Sequence, residues 1–172
     1  MKSAPSLRLI VPFMLFFTAV MAAQTSTQKS GPSLRETEAW IHDTLPDGTY
    51  SEFKSPDNPS ANYVALSTAD FDGCRMNVFH SQTYKDGGKH TTYITVPLGA
   101  VDPATIKSEF ILEARVSFAT TNGKHLIWER VGSNSGFVES TWINLTDENY
   151  APRFLAALKH LVDLCGGQES PF

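Results

Sequence analysis

Between Tyr50 and Leu145 apolar residues recur at every second position, and this alternation constrains the chain more than any other feature. Cys74, Met76 and Val78 alternate with Arg75, Asn77 and Phe79; Ile94, Val96 and Leu98 alternate with Tyr93, Thr95 and Pro97. Val116 and Phe118 alternate with Arg115 and Ser117. Leu126 and Trp128 oppose Ile127 and Glu129, and Ile143 and Leu145 oppose Trp142 and Asn144. A pleated strand sends successive side chains to opposite faces, so the pattern is that of half-buried strands. Asp72-Gly73, Asp86-Gly87-Gly88, Asn122-Gly123 and Gly132-Ser133-Asn134-Ser135-Gly136 separate the runs. Asn-Gly and Asp-Gly supply the positive φ that tight hairpins demand. Parallel neighbours need a crossover of about a dozen residues or more, so strands linked this closely pair antiparallel. The expected body is therefore an antiparallel meander of about six or seven strands. Only Pro97 to Phe110 is long enough for a loop or a short helical turn, around Asp102-Pro103-Ala104-Thr105.

A helix stands on each side of the meander. Ser33-Leu34-Arg35-Glu36 is a capping box, in which the Ser hydroxyl and the Glu carboxylate each accept the other residue's backbone N–H. Leu34, Thr37, Ile41 and Leu45 then fall on one helical face, and Pro46-Asp47-Gly48 is expected to stop the helix. From Asn149 to Cys165, a stripe of Ala151, Phe154, Leu155, Leu158, Leu161, Val162 and Cys165 defines an amphipathic helix. Pro152 falls in its first turn, where a backbone N–H would have no partner within the helix anyway, and Gly166-Gly167 supplies the left-handed cap. Helix, meander and helix make an α+β fold with the C-terminal helix packed on the sheet.

The chain's 172 residues suggest one domain, and an apolar fraction of 41% suffices for a core. Lys2 and Arg8 precede the uncharged run Leu9 to Ala23, which ends in small residues at Ala22-Ala23. Residues 1–23 thus read as a cleavable signal peptide, the run being shorter than the roughly 20 apolar residues of a membrane span. No Cys stands at the cut, so no stable membrane anchor is expected after cleavage. Residues 24–32 read as a flexible polar leader, 33–167 as the domain and 168–172 as a tail. Losing Lys2 and Arg8 takes the basic count from 14 to 12 against 18 acidic residues, a net charge of −6. Such a chain has no basic footprint for nucleic acid or anionic lipid. Export to the periplasm or beyond would place Cys74 and Cys165 where disulfides persist, which favours a bridge between them over two separately buried thiols.

The order of the elements, a long meander followed by one strongly amphipathic helix, is similar to that of the pleckstrin-homology-like barrel. The segment 158–172, LKHLVDLCGGQESPF, resembles the tail of an uncharacterised family of small secreted bacterial proteins. That resemblance implies an exported bacterial protein and brings no activity or site with it. The leading helix departs from a plain pleckstrin-homology domain, so a cystatin-like or other helix-on-sheet arrangement stands as the alternative.

Motifs for chemistry are sparse. Gly132 to Gly136 has Asn134 where a nucleophile elbow needs Ser, and its strand-turn-strand setting is that of a hairpin. Ser51-Glu52-Phe53-Lys54 lacks the helix and companion motif of an acyl-enzyme site. Asp70-Phe71-Asp72-Gly73 lacks the closing Glu of a calcium loop, Ser81 standing in its place. The histidines, His42, His80, His90, His125 and His160, have no zinc-type spacing, and no cofactor is called for. The sequon Asn144-Leu145-Thr146 is expected to stay unmodified in a bacterial protein. The more suggestive residues are aromatics opposite the aliphatic set: Phe79, Tyr93 and Trp142 are the candidate binding surface, unless a helix covers that face. These features point to an exported, non-catalytic module binding a protein, a peptide or a small apolar molecule. The alternative is a small secreted hydrolase whose His and Asp, for instance His80 and Asp70, converge only in space.

Overall fold

Ser33 opens the first helix as a capping box: Glu36 N–H donates to Ser33 Oγ (3.3 Å) and Ser33 N–H donates to Glu36 Oε2 (2.7 Å). In the computed structural model of the chain, residues 31–110 and 114–166 are described. The expected signal peptide, the leader up to residue 30, Gly167 and the tail lie outside the described residues. Helix α1 (Leu34–Thr49) buries Thr37, Ile41 and Leu45, the expected face.

The helix does not stop at Pro46, as the sequence suggested, but runs through it to Thr49. Proline removes one N–H from the ladder, which near a helix end costs a single bond. Compensation comes from Thr49, whose hydroxyl donates to the Leu45 carbonyl (2.8 Å), and from burial of Gly48 and Thr49. Gly48 is a packing residue. A Cβ placed there would lie 2.3–2.6 Å from Tyr150 ring atoms, and that ring is pinned by Trp40 and Phe154 at centroid distances of 5.5 and 5.8 Å. Gly48→Ala is therefore expected to cost about 1–3 kcal/mol by overpacking. Urea unfolding checks this against Gly136→Ala, whose new Cβ would meet nothing within 4 Å and should shift stability by less than about 0.5 kcal/mol.

Nine strands follow among the described residues: β1 (Ser51–Phe53), β2 (Tyr63–Asp72), β3 (Arg75–Tyr84), β4 (Lys89–Pro97), β5 (Lys107–Phe110), β6 (Ala114–Ala119), β7 (Ile127–Val131), β8 (Asn134–Val138) and β9 (Ser140–Leu145). Helix α2 (Tyr150–Leu164) closes the chain. The antiparallel meander is divided into a six-stranded sheet, β1-β2-β3-β4-β7-β8, and a three-stranded sheet, β5-β6-β9. Only Glu139 separates β8 from β9, and its carbonyl accepts the Thr120 N–H (2.9 Å) where the chain passes from one sheet to the other.

Local details depart from the simple hairpin picture. Asn122 and Gly123 have the expected positive φ (59° and 62°), yet they join β6 to β7, which belong to different sheets. The dipeptide fixes a sharp bend without fixing what pairs beyond it. Cys74 lies in the β2–β3 turn, outside the inward alternation assigned to it. Of the segment 132–136, only Gly132-Ser133 forms the turn, and Asn134–Gly136 begin β8. The stretch after Pro97 holds two 3-10 turns, Leu98–Ala100 and Pro103–Thr105, and then β5.

One core serves every layer. It gathers Ile41 and Leu45 of α1, Ala69, Met76, Val78, Ile94, Val96 and Ile127 of the large sheet, Val116, Phe118, Ile143 and Leu145 of the small sheet, and Phe154, Leu158, Leu161 and Val162 of α2. All the large-sheet members belong to one parity, so the helices and the small sheet cover the same face of it. Cys74 and Cys165 form a disulfide (Cα–Cα 5.5 Å) that ties the β2–β3 turn to the end of α2. Among the described residues no helix is long and apolar enough to cross a membrane.

Candidate functional site

The outer face of the large sheet, which no described element covers, carries Phe79, Tyr93, Trp128 and Phe137. Phe79 and Tyr93 are direct cross-strand partners on β3 and β4, their ring centroids 4.6 Å apart. Arg130 pairs with Tyr93 in register and lays its guanidinium 4.2 Å from the Tyr93 centroid and 5.9 Å from that of Trp128. Trp128 in turn stands opposite Phe137, which is 62% exposed. Beside them Thr95 Oγ1 donates to Asn77 Oδ1 (2.9 Å). Phe79, Tyr93, Arg130, Trp128 and Phe137 thus share one face across four neighbouring strands. Neither helix covers it, since both pack on the opposite face.

Trp142 does not join this patch. It projects from the outer face of the small sheet, 52% exposed, with Arg115 5.6 Å from its ring centroid. That Arg is held by Glu109, whose Oε2 accepts from Nη2 (2.6 Å) and Nε (3.0 Å), and Lys107 also pairs with Glu109 (2.9 Å). The two cations hold the Glu109 carboxyl below the ordinary carboxylate range, the Lys107 contact being the larger cause.

A second feature lies on the inner face, where the core gives way to polar residues. Ser67, His80, Thr92 and Glu129 line a cleft of about 380 Å³ with Val78, Ile94 and Val131, walled on one side by Trp142, Ile143 and Asn144 of β9. The Ser67 hydroxyl and His80 Nδ1 are hydrogen-bonded (3.1 Å), and the Ser67 amide donates to Thr49 Oγ1 (2.7 Å). Ser67 is only 3% exposed, so this Ser–His contact orients the imidazole ring and leaves the hydroxyl inaccessible to a substrate. Glu129 is half-buried, and burial alone pushes its carboxyl above the ordinary range.

The His80–Asp70 pairing considered from the sequence is not assembled. His80 shares the inner face with its partner Ser67, whereas Asp70 pairs with Asn77 on the outer face and lies 3.4 Å from His42 Nδ1. His160 Nε2 reaches the Pro32 carbonyl (2.7 Å) beside the groove between α1 and α2, and His125 Nδ1 the Phe137 carbonyl (3.2 Å). Among the described residues no three His, Cys, Asp or Glu side chains converge on a metal position. Sequence reasoning missed Glu129 and Arg130. The signal was present in Ile127-Trp128-Glu129-Arg130-Val131, which puts a carboxylate on the parity of two apolar residues and a cation on that of the aromatics. Comparison with protein-family models, with curated proteins and with solved structures found no match for the chain.

Proposed function

We propose that this chain is an exported, non-catalytic binding module that receives a protein or peptide partner on the outer face of its large sheet. One observation carries the reading: among the described residues every covering layer lies on the inner face, while the other presents the Phe79–Tyr93–Arg130–Trp128–Phe137 patch. Aromatic residues and Arg are the side chains enriched at interface hot spots, because they bury much area and keep a polar handle. The face is a better surface than the adjoining edge of β8, since the His125 ring already engages the Phe137 carbonyl there. The disulfide and the uncharged N-terminal run support export.

Photo-crosslinking in the native host tests this. A crosslinking residue at Thr95, inside the patch, is expected to capture one partner, and Tyr93→Ser with Phe137→Ser should abolish the adduct. Both replaced side chains point away from the core, so the variant should remain folded. An adduct that survives the two substitutions, or no adduct from position 95, would reject the outer face as the binding surface. Purified protein is expected to leave generic ester and peptide substrates intact. Turnover lost in His80→Ala would replace the binding module with a hydrolase working from the cleft.

A further inference from the structure

The cleft beneath β9 contains a carboxylate that the core does not need. Glu129 occupies an inward position between Ile127 and Val131, beside Ile94 on β4 and Gly136 on β8. Elsewhere along its row the inward residues are Ala69, Val78 and Ile94, all apolar. Partial burial of a carboxylate is unfavourable unless a cation or donors compensate. Among the described residues none does, and its acidity is governed by burial alone.

The surroundings define what would compensate. Of the described side chains that line the cleft with Glu129, only His80 on β3 is titratable; β4 and β9 contribute Thr92, Ile94, Trp142 and Asn144, and β8 contributes Gly136. The cation beside Trp142, Arg115, is neutralised by Glu109. An uncompensated carboxylate beside Val78, Ile94 and Val131, with Trp142 among the lining residues, forms a receptor for an ammonium on an apolar body. The carboxylate pairs with the charge, and the ring takes the adjoining surface by cation–π and hydrophobic contact. The volume, about 380 Å³, is that of a small-molecule site.

We propose that this cleft binds a small molecule carrying a protonated amine, with Glu129 as the counter-ion and Trp142 covering the apolar portion. The site is separate from the outer-face patch and does not depend on it. Benzylamine is a suitable probe, with benzyl alcohol and benzoate as matched controls, titrated into the whole folded domain while the Trp142 indole N–H is followed by NMR. The amine is expected to bind at least about tenfold more tightly than either control. Glu129→Gln should remove at least that factor for benzylamine while leaving the weak binding of benzyl alcohol unchanged.

Stability supplies a second readout. A carboxyl whose folded pKa is raised stabilises the fold below its unfolded pKa, and this contribution is lost as pH rises through the folded value. At neutral pH Glu129→Gln should therefore melt at the same temperature as the wild type or higher. Amine binding should weaken as pH falls through the raised range of the Glu129 carboxyl, which then loses its charge. Equal binding of the three probes, no indole shift with benzylamine, wild-type affinity in Glu129→Gln, or a lower melting temperature in that variant would each overturn the proposal.

Discussion

Replacing Cys74 by Ser together with Cys165 by Ala is expected to lower the stability of the domain by about 4–5 kcal/mol, because the bridge spans 91 residues. In the chain-entropy view a cross-link acts by restricting the unfolded ensemble, and the restriction grows with the logarithm of the loop it closes. The loop takes in most of the domain: Cys74 sits in the first long hairpin and Cys165 directly after the last helix. For a domain of this size the loss corresponds to roughly 15 °C in melting temperature. The mechanism leaves a signature in denaturant. The uncross-linked chain expands further on unfolding, so the dependence of stability on urea should steepen as the midpoint falls. A double variant that melts within about 3 °C of the wild type would show that the bridge contributes little. Cys74 is exposed and lies in a turn, so lost packing at that end does not mimic the effect.

The alternation of Met76, Val78, Ile94, Val96, Val116 and Phe118 made the strands legible, because a pleat leaves no other way to bury one face of a ribbon. The capping box at Ser33 and the stripe of α2 were legible for the same reason, each being a local rule written in neighbouring residues. What escaped depends on residues far apart in sequence. Gly48 reads as a helix stop until Tyr150, about a hundred positions on, is seen to lie against it. Asn122-Gly123 encodes its bend faithfully, but nothing local says that β6 pairs with β9 while β7 pairs with β4.

The candidate surfaces follow the same division. Periodicity separates Phe79 and Tyr93 from the aliphatic set, but it cannot say which face the helices will take. Two faces exist in any sheet, and covering one of them is a tertiary decision. Here the apolar parity receives α1, α2 and the small sheet, which strands the aromatic parity in solvent and sends Trp142 to a different surface. Glu129 was readable as a breach of the pattern. A charge on the apolar parity departs from what folding alone selects, and such departures concentrate at sites that do something else.

Phe154→Ala is expected to cost about 3–5 kcal/mol, comparable to loss of the disulfide but for an opposite physical reason. Phe154 is fully buried at the centre of the core and stacks on Tyr150, which in turn meets Trp40. Truncation leaves a cavity in the folded state, whereas removing the bridge loosens the unfolded one. The two origins can be separated. Eleven positions along a helix place Phe154 about 16 Å from Cys165, beyond the range at which side chains couple directly. If the bridge acts only through the unfolded chain, the two losses should add within about 0.5 kcal/mol. If it also holds α2 against the sheet, a helix already loosened at Phe154 should depend on it more, and the combined loss should exceed the sum by about 1 kcal/mol or more. The cycle is best run with Phe154→Leu, since losses of this size from a total of about 5–15 kcal/mol could leave no folded protein to measure. Additivity in urea unfolding would assign the disulfide to the unfolded state; a surplus would make it a native-state clamp on the last helix.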